Sequence, residues 1–166
     1  MELIDLLDEN RNYTGEIIDR GDTIPEGRYK QSVHMWITNS DGKIYIQRRC
    51  AEKKKFPNKW EIPGGGVVSG DNSENTLKKE FEEELGIAFG GNYSLITTIR
   101  RAHDFADVYD VRQNFDINEL SLQVEEVSDG KWVSREELIN MIKNGDFCET
   151  IDIFLDVYLN KIQSVI

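Results

Sequence analysis

Apolar and polar positions alternate over several short stretches of this chain and recur every three or four residues over three longer ones. Ser32–Thr38 and Lys43–Arg49 are rich in β-formers and are separated by Asn39-Ser40-Asp41-Gly42, which predicts a hairpin. Leu3 to Leu7 reads as a short extended segment, followed by a turn at Asp8-Glu9-Asn10 and a second short strand over Glu16–Asp19. Tyr93–Arg101 and Phe105–Phe115 predict two further strands, and Lys131–Val133 a short one. A helix is expected over Ser73–Leu85, closed by Gly86. Ser134 and Glu137 form a capping-box pattern that opens a second helix, ending before Gly145. Ile151, Phe154, Leu155, Tyr158, Leu159 and Ile162 make the apolar stripe of a last one. Between these lie a basic loop, Ala51–Lys59, a glycine-rich loop, Trp60–Gly70, and an acidic loop, 116–126. Strands interleaved with three helices predict an α/β layered domain with helices packed on a mixed sheet.

Length and composition narrow this picture. At 166 residues the chain fits one domain, and 39% hydrophobic with 31% charged residues is ordinary for a globular protein. Acids stand in Met1-Glu2-Leu3-Ile4-Asp5 where a signal peptide needs a basic start, and no apolar run approaches the roughly 20 residues that span a bilayer. Cys50 and Cys148 are far apart and unaccompanied by histidine, so neither a disulfide framework nor a zinc site is expected. These features place the chain in the cytoplasm, away from membranes. The net charge of −11 argues against a nucleic-acid-binding face. It also means that a polyanionic ligand needs a metal or a local basic patch. Arg48, Arg49, Lys53, Lys54, Lys55 and Lys59 form such a patch, which suits either polyphosphate binding or simple solubility. Trp36 and Trp60 suit base stacking or, more commonly, packing. Around His34 and His103 no Ser/His or Cys/His catalytic arrangement is suggested.

Candidate chemistry concentrates on the helix over residues 73–85. At 100° per residue, Glu80, Glu83 and Glu84 share one arc, beside the apolar stripe Leu77, Phe81 and Leu85, while Glu82 and Asn75 point the other way. Like charges at this spacing cost about 0.2–0.5 kcal/mol per pair on an exposed helix, and more where partly desolvated. A divalent cation with hard-oxygen preference would relieve that repulsion. Three glutamates taken alone are more simply a solvated acidic face, but their position at the edge of the buried stripe argues against it.

The preceding loop argues further. Pro63-Gly64-Gly65-Gly66 lets the backbone approach a ligand closely. Gly65 and Gly70 have the spacing of a phosphate-binding P-loop, but Asp71 and Asn72 stand where that loop requires Lys and Ser/Thr, so the P-loop reading fails. Loop and helix together resemble the Nudix box, G-x5-E-x7-R-E-U-x-E-E-x-G-U with U a bulky apolar residue. Here it runs Gly65, Asp71, Lys79, Glu80, Phe81, Glu83, Glu84, Gly86, Ile87. All spacings match; Asp71 replaces the glutamate and Lys79 the arginine. The Trp60-to-Gly66 lead-in, Gln47-Arg48-Arg49, and Lys131-Trp132-Val133-Ser134 with Glu137-Leu138 are also similar to Nudix proteins, in detail to the branch related to isopentenyl-diphosphate isomerases.

The resemblance covers most of residues 30–145 and implies an α/β/α sandwich around a mixed sheet; by length and pattern residues 1–166 are read as one domain, with 1–30 as an extension with short strands and 146–166 as a C-terminal helix. It implies hydrolysis of a nucleoside diphosphate linked to another group, or of another small diphosphate, with Mg²⁺ or Mn²⁺ held by Glu80, Glu83 and Glu84. Gly64, Gly65 and Gly66 would form the substrate loop, and Lys79 would supply the charge of the box arginine without its bidentate fork. The base would be Glu80 or Glu83, with Glu126 (beside Glu125) where some relatives keep a catalytic glutamate. Asp71 suits either metal ligation or helix capping, and Arg48 a phosphate contact. Two alternatives stand beside hydrolysis. One is an isomerase, which needs a cysteine near the glycine loop where this chain has none between 51 and 147; the other is a non-catalytic nucleotide sensor. The oligomeric state is unreadable, a homodimer being among the states allowed.

Overall fold

A computed structural model describes residues 2–149 and 151–164. β1 (Leu3–Leu7) and β2 (Tyr13–Asp19) form a separate antiparallel ribbon. β2 starts three residues earlier than the sequence suggests. The turn is shaped by Asp8, whose carboxylate accepts from the Asn10 and Asn12 amides at 2.9 Å. β3 (Lys30–Thr38), β4 (Ile44–Arg49), β5 (Trp60–Glu61), β6 (Gly64–Gly66), β7 (Asn92–Arg101), β8 (Asp104–Arg112) and β9 (Val127–Val133) build the main mixed sheet. The last strand is longer than expected at its start, and β8 ends at Arg112 rather than Phe115.

The expected hairpin of β3 and β4 forms only at its turn. Thr38 pairs with Ile44, and then the two strands part. β3 takes β8 as a parallel neighbour on one edge and β6 as an antiparallel neighbour on the other, while β4 pairs with β5 and β9. The segment expected to be a glycine-rich loop is therefore two short strands that cross from β4 to β3 and fill the opening between them.

Strand parity divides the core. Val33, Met35 and Ile37 face α1 (Ser73–Leu85) and pack with Leu77, Phe81 and Leu85. Trp36 faces the opposite layer, where Leu138 of α2 (Arg135–Lys143) and Phe154 and Tyr158 of α3 (Ile151–Ser164) close over the sheet. Trp36 is fully buried, donates its indole N–H to the Phe154 carbonyl and stacks on Tyr158, so packing explains it. The result is the expected α/β/α sandwich. The Ile162 side chain expected on the last apolar stripe lies outside the described side chains. Among the described residues no helix is long and apolar enough to cross a membrane.

α1 starts and ends as its sequence dictates, with one correction. The N-cap is Asn72, whose side chain accepts from the Asn75 amide at 2.9 Å; Asp71 instead accepts from the Asn72 amide. At the other end Gly86 takes a left-handed conformation, φ 70°, which a side chain would strain.

β6 must be nearly bare. A Cβ at Gly64 would collide with the Val33 carbonyl, a backbone atom that cannot swing away. Gly64→Ala is expected to cost about 1–3 kcal/mol, as overpacking does in a filled core. Urea denaturation checks it, and an unchanged midpoint would show that β6 can slide off β3.

Candidate active site

The opening between β3 and β4 forms a cleft of about 280 Å³. β6 and Glu84 form part of its wall; Glu61 and Arg49 come from β5 and β4, Lys53 and Glu126 from loops, and Lys30, Ser32 and His34 from β3. Glu2, Ile4 and Arg20 of the N-terminal ribbon, and Arg101 at the end of β7, also line it. The ribbon is tied down beside it, because Asp5 accepts from the Ser69 hydroxyl at 2.8 Å and the Gly70 amide at 2.9 Å.

Each glutamate of α1 has a distinct environment. Glu84 is buried, with one side-chain hydrogen bond, from the Gln47 amide at 2.8 Å. Burial, and next the Glu61 charge, push its carboxyl well above the ordinary value. Glu80 lies against Gly65 so closely that a Cβ there would overlap its carboxylate. Burial and then the neighbouring Glu83 charge push Glu80 up to about 7. Glu83 is about half exposed, with the Lys79 ammonium 4.0 Å away. The wheel thus orders the three correctly by arc, but burial falls from Glu84 through Glu80 to Glu83. Glu82 turns away, and its carboxylate accepts from the Phe89 amide at 3.0 Å, fastening the segment after the helix.

Of the other expected site residues, Gly64, Gly65 and Gly66 line the cleft as a strand, and Glu126 lines it paired with Lys53. Arg48 does not line it: its guanidinium lies over the Trp60 ring, 5.8 Å from the centroid, and donates to the Ser128 hydroxyl. Nor does Asp71. Of the six basic residues at 48–59, only Arg49 and Lys53 reach the cleft; Lys59 donates to the Gly145 carbonyl, and Lys54 and Lys55 are exposed.

Sequence reasoning missed Glu61, Arg20, Lys30 and Arg101, and set His34 aside. Glu61 accepts from Arg49 at 2.9 Å; burial raises its carboxyl even so. The His34 ring stacks on Phe154, and burial, then the Arg101 and Lys30 charges, depress it to about 3, so it is neutral. The Ser32 hydroxyl gives its proton to Asp104, leaving its oxygen to accept from His34 Nε2 at 3.1 Å. Cys50 donates to the Glu125 carbonyl, and Cys148 sits by a small side cavity with its thiol pushed up to about 11 by burial. Neither lines the main cleft.

The donor set fits Mg²⁺ or Mn²⁺. Buried Glu84, with only neutral donors, the Gln47 amide and the Gly64 backbone N–H, and two acidic neighbours, is under-compensated for a charged carboxylate. Among the described residues no group of three acidic, histidine or cysteine side chains, Glu80, Glu83 and Glu84 included, is placed to hold a metal ion by itself. Mg²⁺ does not require one, since it commonly keeps several waters and takes one or two carboxylates plus substrate phosphates.

A hydrolase acting on phosphoric anhydride bonds is the class that this fold and site define. The NUDIX domain model matches residues 28–149, and the chain belongs to the Nudix hydrolase family. It is 32% identical to an uncharacterized Nudix hydrolase of Listeria monocytogenes, over 89% of this chain and 88% of that one. It is 29% identical to a nucleoside triphosphatase of Escherichia coli, over 63% of this chain and 82% of that one. A crystal structure from Deinococcus radiodurans superposes with a TM-score of 0.75 at 25% identity, covering 89% of this chain and 92% of that one.

The raised carboxyl of Glu80 has a consequence for the metal-free chain. Its folded value of about 7 exceeds the ordinary 4.5, so folding favours the protonated form. That contribution is complete below about pH 4.5 and is lost as pH rises through about 7. In EDTA, the thermal midpoint of Glu80→Gln should therefore gain on that of the native chain over this window. A pH-independent gap would show that Glu80 is not desolvated.

Proposed function

We propose that the chain is a divalent-metal-dependent pyrophosphohydrolase, cleaving a diphosphate linkage in a nucleoside diphosphate that bears a further group. The observation that supports this reading best is the pairing of Glu80 and Glu84 against the bare strand β6, beside a cleft lined by cations. Glu80, Glu83 and Glu84 would hold Mg²⁺ or Mn²⁺, which when bound supplies charge neutralisation at the diphosphate oxygens. Glu80 or Glu83 is the proton acceptor: as water attacks phosphorus, its proton passes to the carboxylate. A new P–O bond forms, the anhydride P–O bond breaks, and the departing phosphate takes the electron pair. Arg49 and Lys53 hold phosphate oxygens, and the Glu126 carboxylate is a further candidate base. Lys79 holds Glu83 near the metal position. The whole chain, 1–166, acts as one domain, because the N-terminal ribbon supplies part of the cleft wall.

The test combines chelation with substitution. Hydrolysis of a panel of nucleoside triphosphates, nucleotide sugars and dinucleoside polyphosphates should require Mg²⁺ or Mn²⁺ and vanish in EDTA. Glu80→Gln and Glu83→Gln should each lower kcat by at least about 10²-fold, the lower range for a positioned general base. Glu82→Gln keeps an acceptor for the Phe89 amide and should stay within about twofold of native. Full turnover after exhaustive chelation, or equal losses in Glu82→Gln and Glu83→Gln, would refute the assignment.

A further inference from the structure

We propose that Gln47 is a positioning residue for the metal centre, an uncharged donor that aims the Glu84 carboxylate without neutralising it. The inference rests on the hydrolase reading above and deepens it at a residue that no substrate can touch.

Gln47 is a polar residue in an apolar setting. It lies on β4 and faces the α1 layer, where Tyr45, two residues back, packs with Val33, Met35, Leu77 and Phe81. It is fully buried and does not line the cleft. A leucine or methionine would fill that place with no polar group to satisfy, so the amide needs a reason. Its neighbours supply one. On β5 it is paired in register with Glu61, and from α1 the Glu84 carboxylate reaches it.

The two ends of the amide are used unequally. Nε2 donates to Glu84 Oε2 at 2.8 Å, and the same amide draws the neighbouring Glu61 carboxyl downward as a hydrogen-bond donor. Oε1 is buried and has no hydrogen-bond partner among the described residues. The β9 residue in register with Gln47 is Gly130, which has no side chain to offer it. Turning the amide over would satisfy nothing, because its oxygen would then face two carboxylates. The orientation therefore serves the acids and leaves an acceptor stranded, a cost that packing does not explain.

The residue type matters as much as the contact. Glu84 takes only neutral donors, from Gln47 and from the Gly64 backbone N–H. A lysine or arginine in place of Gln47 would pair with Glu84 and compete with a divalent cation for its charge. An apolar residue would leave one carboxylate oxygen free to turn. Gln47 fixes the carboxylate and leaves its full charge for the metal, as groups behind metal ligands commonly do. Glu61, its other acceptor, also takes Arg49, which lines the cleft. One amide thus stands between the metal carboxylate and a phosphate-holding guanidinium.

The test reads metal affinity, stability and turnover separately. Gln47→Met keeps the length and removes the donor; Gln47→Asn keeps the amide and draws it back by one methylene. Electron paramagnetic resonance titration should show each variant binding Mn²⁺ about 10- to 100-fold more weakly than native, the usual loss when a group behind a metal ligand is removed. In EDTA the thermal midpoint of Gln47→Met should stay close to native, since the stranded acceptor leaves with the donor. Raising Mn²⁺ should restore kcat to within about threefold of native, because the loss lies in metal binding and not in the chemical step. Mn²⁺ affinity within about twofold of native in a folded variant of either kind overturns the proposal. So does a loss of turnover that excess Mn²⁺ leaves in place, which would mark a merely structural role. Absence of Mn²⁺ binding by the native protein would defeat the metal reading and the positioning role together. Weakened Mn²⁺ binding in the variants of a native chain that hydrolyses nothing would defeat the hydrolase reading alone and support the positioning role.

Discussion

The site depends on β3 and β4 parting after a single pair. Had the hairpin zipped along its length, β4 would occupy the β3 edge that β6 now takes, and no cleft would exist. The divergence is held from both sides. β9 pairs with β4 from Ile44 to Arg49, and β8 pairs with β3 from Lys30 to Thr38. The gap is filled by backbone alone, since Gly64 and Gly65 have no room for a methyl group. That bareness lets α1 bring Glu80 onto the strand and Glu84 into the interior. A side chain at Gly65 would displace the Glu80 carboxylate from the strand, and one at Gly64 would drive β6 off β3.

Charge in the cleft is arranged in pairs. Arg49 holds Glu61, Lys53 holds Glu126, Arg20 holds Glu2 and Arg101 holds Asp104. In a chain of net charge −11, this self-neutralisation keeps cations beside the glycine strand without repelling one another. Ion pairs at the exposed rim, such as Arg20 with Glu2, are worth at most about 1 kcal/mol and can exchange partners readily. A phosphate can compete for the cation and a divalent metal for the carboxylate. The same groups then answer two ligands of opposite sign.

What was legible in the sequence was local. The bounds of α1, its stop at Gly86 and the Leu77–Phe81–Leu85 stripe are encoded locally and the structure keeps them, whereas the cap is Asn72 rather than Asp71. The glycine strand was not legible as a strand, because glycine has little β preference of its own and pairs here only because β3 offers an open edge. Glu61 and Lys30 gave no signal either. The former is one acid in a loop-like stretch; the latter precedes a strand by pattern, and only the fold brings it to the cleft. Arg48 misled because position in a basic run says nothing about direction: its neighbour Arg49 points into the cleft, whereas Arg48 covers Trp60. His34 was set aside because no Ser/His or Cys/His catalytic arrangement is suggested around it, yet its partners are Ser32, two residues back, and Phe154 from the far end of the chain.

The N-terminal ribbon shows how a remote contact fixes part of the site. A two-stranded ribbon is marginal alone in water, and β2 exposes Tyr13 and Ile17. Asp5 ties it beside the cleft, and its far end is fixed at the turn, where Arg11 adopts φ 65° and forks onto Asp107 at 2.8 and 2.5 Å. Burial alone would raise the Asp107 carboxyl, but hydrogen bonds from Arg11, Ser73 and Thr98 more than offset it and hold it below the ordinary value. Those partners belong to the first turn of α1 and to β7, so one buried carboxylate joins the ribbon, the glutamate-bearing helix and the strand that ends in Arg101. Removing either side of such a pair leaves an uncompensated buried charge, which is strongly destabilising. Arg20 and Glu2 lie at the opposite end of the ribbon from Arg11, so their place at the cleft is held directly through Asp5 and remotely through this ion pair.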